Sequence, residues 1–323
     1  MRAARLAAAL LASVLLAAGC SAPPLPGDAV ALSAHAVDLG PPERTADGVG
    51  RLAFRGAVAL SSPDVRFGGY SALQVSSDGD RLIALSDKGH VLRARLRHES
   101  GSLTGVDDAA IGALAGPGGA PVAGTRAHDA EALTRDGADL VAGFEGPARL
   151  WRYAGGALAT TPAVIPLPAA AARLPGNRSV EAVAALGVGR FLVLAEAPPA
   201  TGRPSAWIGG ASGWRAATYA RTGLFVPVDA AMAANGDVIV LERRFTWAGG
   251  LASRLARIPA AQLAGDALRP EELALIEPPL ATENFEGLAL RPGPGGETLI
   301  YLISDDNFHP MQRTLLALFA LAP

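Results

Sequence analysis

The sequence has little of what several common protein chemistries require. Cys20 is its single cysteine, which excludes a disulfide framework within the chain and a zinc site built on paired cysteines. The formal net charge is −2 and no long basic run is present, which argues against a nucleic-acid-binding protein. The sequence also contains no Gly-x-Ser-x-Gly nucleophile elbow and no Walker-type phosphate loop. Any site for a charged ligand must therefore be local.

Histidine and tryptophan are scarce as well. The five histidines are scattered without metal-ligand spacing, and His128, directly before Asp129 and near Glu131, is the one kept as a candidate acid, base or ligand. Four tryptophans are expected to pack in the interior rather than to form a substrate platform: Trp151, Trp207, Trp214 and Trp247.

The first twenty residues have the features of a secretory signal. Arg2 and Arg5 form a short basic region, residues 6–18 are almost entirely apolar, and small residues precede Cys20. Residues 1–20 are thus typical of a bacterial lipoprotein signal, in which Cys20 becomes the lipidated N-terminus. This predicts an exported protein of the cell envelope, on the periplasmic side of a bacterial membrane that it contacts only through its lipid anchor. An ordinary signal peptide with an incidental cysteine is the alternative.

A repeat organises the chain after its N-terminal region. Residues 21–48 are rich in proline, alanine and glycine and are expected to form a tether and a first extended segment, whereas residues 49–323 are expected to form one domain. In each copy of the repeat, a glycine turn joins two short apolar strands, and the second strand ends in Asp or Glu. The five copies span residues 71–87, 129–145, 180–196, 228–242 and 284–308.

The repeat predicts an all-β fold, a β-propeller. Copies spaced by about 50–60 residues, with further extended segments between them and no long amphipathic helix, match one propeller blade per repeat. Five repeats indicate five or six blades, a sixth being hidden in weakly patterned segments. Because the last repeat lacks an obvious fourth strand, residues 52–60 are expected to complete its blade and close the ring. A β-sandwich, which needs no repeat, is the alternative.

The acidic ends of the hairpins carry the functional prediction. The start of the first strand and the end of the second lie at the same end of an antiparallel hairpin, so these acids should meet at one rim of the channel. Like charges a few ångströms apart repel by about 1 kcal/mol in water and about 4 kcal/mol at a surface-like dielectric, so such a rim should attract cations. A divalent metal, Ca²⁺ first, is expected because it accepts many oxygen ligands. The candidate metal ligands are Asp87, Glu131, Glu145, Glu181, Glu196, Glu242, Glu286, Asp305, Asp306 and Asn307.

Each of these acids also has a structural interpretation, because Asp and Glu at strand ends cap turns and pair with arginine. In the fourth repeat, Asp229 is expected at the rim beside Glu242. Basic residues adjoin the acids in sequence: Lys88, Arg178, Arg243 and Arg244. They either neutralise neighbouring carboxylates or, with metal, form a pocket for an anion such as phosphate, which arginine can bind in a bidentate manner.

The acidic motifs resemble those of the phytase-like family, whose members are described as having the esterase-like activity of phytase. The resemblance rests on residues 68–73 with 86–87, 129–133 with 145, 181 with 195–196, 241–243, and 284–288 with 304–308 and 312–314. It covers residues 50–321, although the third and fourth repeats depart from the family pattern near Glu181 and Asp229. The resemblance implies a propeller-type fold and a phosphoric ester as substrate.

These observations predict metal-dependent hydrolysis of a phosphoric mono- or diester at the acidic rim. Metal ions would hold the phosphoryl oxygens and activate a water, while Arg243 offsets negative charge. Glu131, Glu286 and His128 are the candidate acid–base groups and, with Arg243, the expected catalytic set. Two alternatives stay open: a non-catalytic propeller that binds a ligand or partner and holds a structural metal, and a metal-dependent carboxylic or lactone esterase.

Overall fold

β-Strands make up nearly all of the regular structure. The computed structural model describes residues 25–41, 45, 48–174, 179–196 and 205–323. Its helical elements are one turn of α-helix, α1 (Ala169–Ala172), and 3₁₀ helices at Pro117–Gly119, Ala154–Gly156 and Ala260–Ala264. No helix within these ranges is long and apolar enough to cross a membrane. The predicted signal with Cys20, and the basic residue Arg178, lie outside the described residues.

The strands of the described chain follow in sequence order: β1 (Asp28–Ala29), β2 (Ser33–Ala36), β3 (Leu52–Ser61), β4 (Tyr70–Val75), β5 (Arg81–Ser86), β6 (His90–Glu99), β7 (Ser102–Ala113), β8 (Ala130–Asp136), β9 (Asp139–Phe144), β10 (Arg149–Tyr153), β11 (Ala163–Ile165), β12 (Val180–Ala185), β13 (Phe191–Ala195), β14 (Ala206–Gly210), β15 (Gly213–Tyr219), β16 (Val226–Met232), β17 (Val238–Thr246), β18 (Gly250–Ile258), β19 (Ala267–Leu268), β20 (Glu271–Ile276), β21 (Phe285–Pro292), β22 (Thr298–Ser304) and β23 (Thr314–Leu321).

These strands form five sheets, which are the blades of a β-propeller. From the axis outward, the blades are β4-β5-β6-β7-β1, β8-β9-β10-β11, β12-β13-β14-β15-β19, β16-β17-β18-β20 and β21-β22-β23-β3-β2. The innermost strands β4, β8, β12, β16 and β21 pack side by side in that order, and β21 returns to β4. The predicted propeller is confirmed, with five blades rather than six.

The ring closes through the first long strand of the chain. β3 pairs with β23, so that Leu60 lies opposite Thr314 and Leu52 opposite Leu321. β2 then extends the same sheet at its outer edge. Blade 5 thus joins the two ends of the described chain, which confirms the closure predicted for residues 52–60.

The hydrophobic core lies between the blades. Five apolar clusters occupy the junctions between neighbouring blades, one at each junction. Near the axis, where the inner strands converge, small side chains are needed. Gly287 shows this, because a Cβ there would lie 2.6 Å from the Ile303 side chain and 3.0 Å from the Ala72 backbone. Close packing of this kind holds the inner hairpins, and therefore their ends, in fixed positions.

A β-bulge interrupts the inner hairpin of every blade at the same place. In blade 2, Ala130 pairs with Phe144 and Ala132 pairs with Gly143, which leaves Glu131 unpaired between them. A bulge bends its strand and re-aims the unpaired side chain. The residues in this bulged position, from blade 1 to blade 5, are Ser71, Glu131, Glu181, Val228 and Glu286.

Candidate active site at the acidic mouth

A second matched position faces the bulge across each inner hairpin. In blade 1 its backbone N–H, that of Asp87, donates to the carbonyl oxygen of Gly69 (2.8 Å), and in blade 5 that of Asp305 donates to Asn284 (2.9 Å). The residues in this position, from blade 1 to blade 5, are Asp87, Glu145, Glu196, Arg243 and Asp305. Together with the bulged residues and Asp129 they surround one end of the channel, which we call the acidic mouth.

Blade 4 departs from the sequence prediction at both positions. Its register pairs Val226 with Arg243, so that Arg243 occupies the place that an acid fills in the other four blades. The bulge falls on Val228, not on Asp229. Because a shift of one residue moves a side chain to the other face of a strand, the predicted pairing of Asp229 with Glu242 at the rim does not occur.

The two acids of blade 4 are enclosed within the sheet. Glu242 is completely buried, contacts Arg254 and accepts a hydrogen bond from the Tyr219 hydroxyl (3.0 Å). Asp229 accepts the backbone N–H of Leu288 in the next blade (2.7 Å), and burial raises its pKa well above its ordinary value. Both side chains hold blade 4 in place and contribute nothing to the mouth.

Glu131 and Glu286 occupy the bulges of blades 2 and 5. Burial raises the pKa of Glu131 well above its ordinary value, and the charges of Glu286 and Asp129 raise it further. Burial also raises the pKa of Glu286, although Arg243 opposes this effect and the Asn284 amide donates a hydrogen bond to the carboxylate (2.9 Å). Burial thus favours the protonated form of both carboxyl groups, but at Glu286 the guanidinium of Arg243 and the hydrogen bond from Asn284 favour the ionised form.

Glu145 and Glu181 form a hydrogen-bonded pair between blades 2 and 3. Burial raises the pKa of Glu181 well above its ordinary value, and the hydrogen bond to Glu145 raises it further, so of the two carboxyl groups Glu181 holds a proton more readily. Burial also raises the pKa of Glu145, whereas the hydrogen bonds from Glu181 and from the Ser179 backbone N–H (2.9 Å) favour its ionised form. The pair places a proton donor beside a proton acceptor, as general acid–base catalysis requires.

Arg243 supplies positive charge in the middle of these acids. Its Nη1 atom lies 2.9 Å from Glu286 Oε1 and donates to Asn284 Oδ1 (2.9 Å), and its Nη2 atom lies 3.8 Å from Glu196. Burial opposes the charge of the guanidinium, but the carboxylates of Glu286 and Glu196 outweigh it and raise the pKa of Arg243. One guanidinium cannot neutralise this number of carboxyl groups, so the mouth has a net negative charge.

Asp87 and Asp305 complete the mouth on blades 1 and 5. Burial, together with the charges of Glu286 and Asp87, raises the pKa of Asp305 to about 7. Asp87 is more accessible and pairs with Lys88 at 3.4 Å. The structure thus brings together seven of the ten predicted metal ligands: Asp87, Glu131, Glu145, Glu181, Glu196, Glu286 and Asp305.

Asp306 and Asn307 adjoin the cluster at Asp305, because the charge of Asp306 raises the pKa of Asp305 and the backbone N–H of Asn307 donates to its carboxylate (2.6 Å). Asp306 accepts the backbone N–H of Gly69 (3.0 Å) and the hydroxyl of Thr314 (2.9 Å), and so ties the last blade to the first. Asn307 is exposed and donates to the side chain of Gln312 (2.7 Å). Their contacts account for them as parts of the loop after β22.

His128 lies at the junction of blades 1 and 2. Its Nδ1 atom is 2.8 Å from the backbone carbonyl oxygen of Asp87, a contact that requires a proton on Nδ1. In the neutral ring the Nε2 atom is then free to accept a proton. The position of His128 beside Asp87 keeps it among the candidate bases.

The oxygen donors of the acidic mouth are of the type that hard divalent cations prefer. The raised pKa values of Glu131 and Asp305 reflect repulsion between like charges as well as burial, and a bound cation would relieve this repulsion. The donor chemistry therefore fits a cation such as Ca²⁺. Among the described residues, however, no group of three or more His, Cys, Asp or Glu side chains is arranged to hold a metal ion. Cation binding would require these side chains to move together.

Sequence reasoning missed three polar residues that contact the acids. Ser71 forms a hydrogen bond with Glu286, Asn284 links Glu286 to Arg243, and the charge of Asp129 raises the pKa of the acid at the bulge of its blade. Ser71 occupies the bulged position, and Asp129 and Asn284 lie two residues before it. Aligning the five repeats on the bulge would have identified all three.

Large apolar side chains are exposed on the same face as the acidic mouth. Six of the nine such residues in the described chain lie on this face, five in loops and Phe245 near the end of β17: Val65, Leu224, Phe245, Trp247, Phe308 and Met311. The β17–β18 hairpin extends beyond Arg243, and its tip carries Trp247, which is 96% exposed and stacks edge-on against Phe245. The prediction that Trp247 packs in the interior is wrong.

The chain is similar to a known protein family in sequence and to several solved structures in fold. A sequence profile described as "Phytase-like: Esterase-like activity of phytase" matches residues 65–308, a range that contains every residue of the acidic mouth. No curated protein matches the chain. Similar solved structures include the WD40 repeats of RRP9, 10% identical over 77% of this chain and 79% of that one with a TM-score of 0.39. Another is glutaminyl cyclase from Myxococcus xanthus, 12% identical over 79% of this chain and 92% of that one with a TM-score of 0.39.

Proposed function

Because the chain belongs to the phytase-like family, we propose that it hydrolyses a phosphoric ester at the acidic mouth. The observation that best supports this proposal is the grouping of buried carboxyl groups with raised pKa values around one guanidinium. Burial raises the pKa of Glu181, which is hydrogen-bonded to Glu145, and Arg243 provides the positive charge. Ester hydrolysis needs a proton donor and acceptor within reach of one substrate, and a cation where negative charge develops.

In this proposal Arg243 binds an anionic oxygen of the substrate. A guanidinium has five N–H donors in a planar fork, more than the contacts with Glu286, Asn284 and Glu196 require. A protonated carboxyl group, Glu131 or Glu286, then donates to the leaving oxygen, while an ionised carboxylate or His128 withdraws a proton from the attacking water. The raised pKa of Glu131 keeps its proton in place until the leaving oxygen needs it.

The net negative charge of the mouth would repel a phosphoric ester that arrives alone. We therefore include a divalent cation, Ca²⁺ first, in the proposal. When bound, such a cation supplies positive charge next to the phosphoryl oxygens and lowers the pKa of a coordinated water. The residues that would hold it are the acids of the mouth that are not proposed as proton donors: Asp87, Glu145, Glu196 and Asp305.

The proposal is tested by assaying the purified chain with chromogenic phosphomonoester, phosphodiester and carboxylic ester substrates, each with Ca²⁺ and with a chelator. We expect turnover of a phosphoric ester with Ca²⁺ and loss of this turnover when the chelator is added. Glu286→Gln should lower kcat/KM by about 100-fold or more, the usual effect of losing a general acid or base. Glu99→Gln, the same change at an exposed residue at the end of β6, is the matched control and should leave kcat/KM unchanged.

The substrate panel separates the alternatives. Turnover of the carboxylic ester alone would replace the phosphoric ester with a carboxylic or lactone ester at the same mouth. Absence of turnover on all three substrates, in a protein shown to be folded by its melting curve, would contradict an enzymatic role. Full activity of Glu286→Gln would place the chemistry elsewhere.

A non-catalytic role is the second candidate, and the exposed apolar residues around the mouth favour it. Trp247, Phe245 and Met311 are more exposed than large hydrophobic side chains usually are, and such residues mark sites of protein contact. A basic partner protein would match both these residues and the negative mouth. In that case Trp247→Ala should abolish the capture of that partner. Neither the unmodified chain nor Glu286→Gln should hydrolyse any of the three substrates.

A further inference from the structure

The channel has a second mouth at the opposite end of the ring. All five inner strands contribute to it, and it encloses a cavity of about 470 Å³. This volume is within the range of small-molecule sites in proteins, roughly 300–1,000 Å³. Two of its lining residues, Arg135 and Arg291, are basic, and none is acidic. We call this cavity the basic mouth.

Arg291 is held in position before any ligand arrives. Its Nε atom donates to the Tyr301 hydroxyl (3.0 Å), which also contacts His98 (3.1 Å), and its Nη1 atom donates to the carbonyl oxygen of Pro292 (3.3 Å). The guanidinium packs over Gly79, where a Cβ would lie 2.6 Å from Nη2. A fixed guanidinium loses little conformational entropy when it binds an anion.

Neither arginine of the basic mouth is paired with an acid at salt-bridge distance among the described residues, although Asp78 lines a neighbouring pocket with Arg135 and Glu297 lines one with Arg291. Within the described part of the chain, neither Arg135 nor Arg291 forms a salt bridge, and Arg135 is exposed. Arg152, at the same end of the ring, pairs with Asp136 at 2.6 Å and with Asp139 at 3.2 Å. An arginine in a concave site that lacks a carboxylate partner is suited to bind an external oxyanion.

The rest of the lining determines what kind of anion fits. Half of the lining residues are apolar, Met232, Leu290 and Val75 among them, and besides the two arginines the rest are polar: Gln74, Ser76, Ser77 and Thr134. We propose that the basic mouth binds a small organic oxyanion, a carboxylate or a phosphate monoester with a short apolar body. Its charged end lies between Arg135 and Arg291, and its apolar part contacts Leu290 and Met232. This site is separate from the acidic mouth and does not depend on hydrolysis there.

Calorimetric titration of the full chain at low salt, with hexanoate and with hexyl phosphate as separate probes, tests this proposal. We expect saturable one-to-one binding of at least one probe and no binding of hexanamide, which has the same shape as hexanoate without its charge. Arg135→Ala should weaken binding by about tenfold or more, as expected for the loss of a charge-assisted hydrogen bond. The matched control is Arg190→Ala, which removes an exposed arginine from the same end of the ring outside the cavity and should bind as the unmodified chain does.

Two further variants make the result decisive. Arg291→Gln keeps a hydrogen-bond donor near Tyr301 but removes the charge, and it should weaken binding as Arg135→Ala does. Glu286→Gln, at the acidic mouth, should bind the probe normally whether or not hydrolysis is observed. Binding that is equally weakened by Arg190→Ala, equal binding of hexanamide, or absence of saturable binding to both anionic probes would overturn the proposal.

Discussion

The pKa values of acidic side chains are shifted in opposite directions at the two ends of the channel. At the basic end, Asp136 pairs with Arg152, and the pKa of Asp139 is lowered by the backbone N–H of Gly155 and by the same arginine. At the acidic mouth, burial and neighbouring acids raise the pKa values of Glu131, Glu181 and Asp305. An acid at a strand end is therefore structural where a cation partner is present and becomes a candidate for chemistry where it is not.

Lowered and raised carboxyl pKa values change the stability of the fold in opposite directions as the pH changes. A carboxyl group with a lowered pKa stabilises the fold above its ordinary pKa, and this contribution is lost as the pH falls. A group with a raised pKa stabilises the fold only at low pH, and its contribution is lost as the pH rises through the folded-state pKa. The acidic mouth therefore destabilises the metal-free protein as the pH rises from about 4 to 8.

The largest expected effect comes from breaking the buried ion pair between Glu242 and Arg254. Arg254 and Glu242 are 3% and 0% exposed as side chains, and Arg254→Met would leave Glu242 buried without its cation. We expect the free energy of unfolding to fall by about 3–5 kcal/mol, as for other buried pairs that lose one partner. Urea denaturation measures this change.

The double variant Arg254→Met/Glu242→Gln is the control for this prediction. It removes the uncompensated charge and keeps an acceptor for the Tyr219 hydroxyl, so it should recover at least half of the lost stability. Esterase activity of the folded fraction should be unchanged in both variants. If the single variant loses no more stability than the double variant, the charge of Glu242 does not require Arg254 as its partner.

The register of blade 4 shows where prediction from sequence stops. The alternation of apolar residues, the glycine turns and the five repeats were sufficient to predict the propeller, its closing strand and the convergence of acids at one rim. A repeat gives the order of residues but not the position of a β-bulge, and a shift of one residue exchanges the side chain at the mouth for one inside the sheet. Glu242 was therefore chosen where Arg243 is the residue that reaches the mouth.

Protonation and partners were beyond prediction for a related reason. Whether Glu181 holds a proton depends on its burial and on Glu145 in the neighbouring blade, thirty-six residues earlier in the sequence. The cation that neutralises Glu242 comes from the next strand, β18. Such contacts are set by packing between strands and blades, which a single sequence does not encode in local form.

A medium effect is expected when one crowded carboxylate is removed. A rise of the Asp305 pKa from 3.8 to about 7 corresponds to at most about 4 kcal/mol, and because part of the rise comes from the neighbouring charge of Glu286, which titrates with it, Asp305→Asn should recover about half of this. In chelator, the variant should be more stable than the unmodified chain by roughly 2 kcal/mol at pH 8 and nearly equal to it at pH 4. Urea denaturation at the two pH values makes the comparison.

Asp139→Asn at the opposite end is the matched control, with the opposite sign. Because the pKa of Asp139 is lowered, its ionised form stabilises the fold, and its replacement should reduce stability at both pH 8 and pH 4, an effect that is lost only as the pH falls below its ordinary pKa of 3.8. Destabilisation by Asp305→Asn at pH 8 in chelator would contradict the view that the acids of the mouth repel one another.

The smallest effect is expected from adding one methyl group to a glycine at each mouth. Gly69, at the acidic mouth, and Gly137, in a turn at the basic end, have nearly the same positive φ, 65° and 63°. An alanine at Gly137 would contact little else, since its Cβ would lie 3.9 Å from Val188, and we expect a loss of about 1 kcal/mol from the left-handed conformation.

At Gly69 the same Cβ would also collide with the Asp87 carboxylate and lie 2.5 Å from the Phe308 ring. Gly69→Ala should therefore lose about 1 kcal/mol more than Gly137→Ala and, unlike it, reduce esterase activity, because it displaces a carboxylate of the acidic mouth. Equal losses of stability with unchanged activity would mean that this part of the mouth yields without consequence for the site.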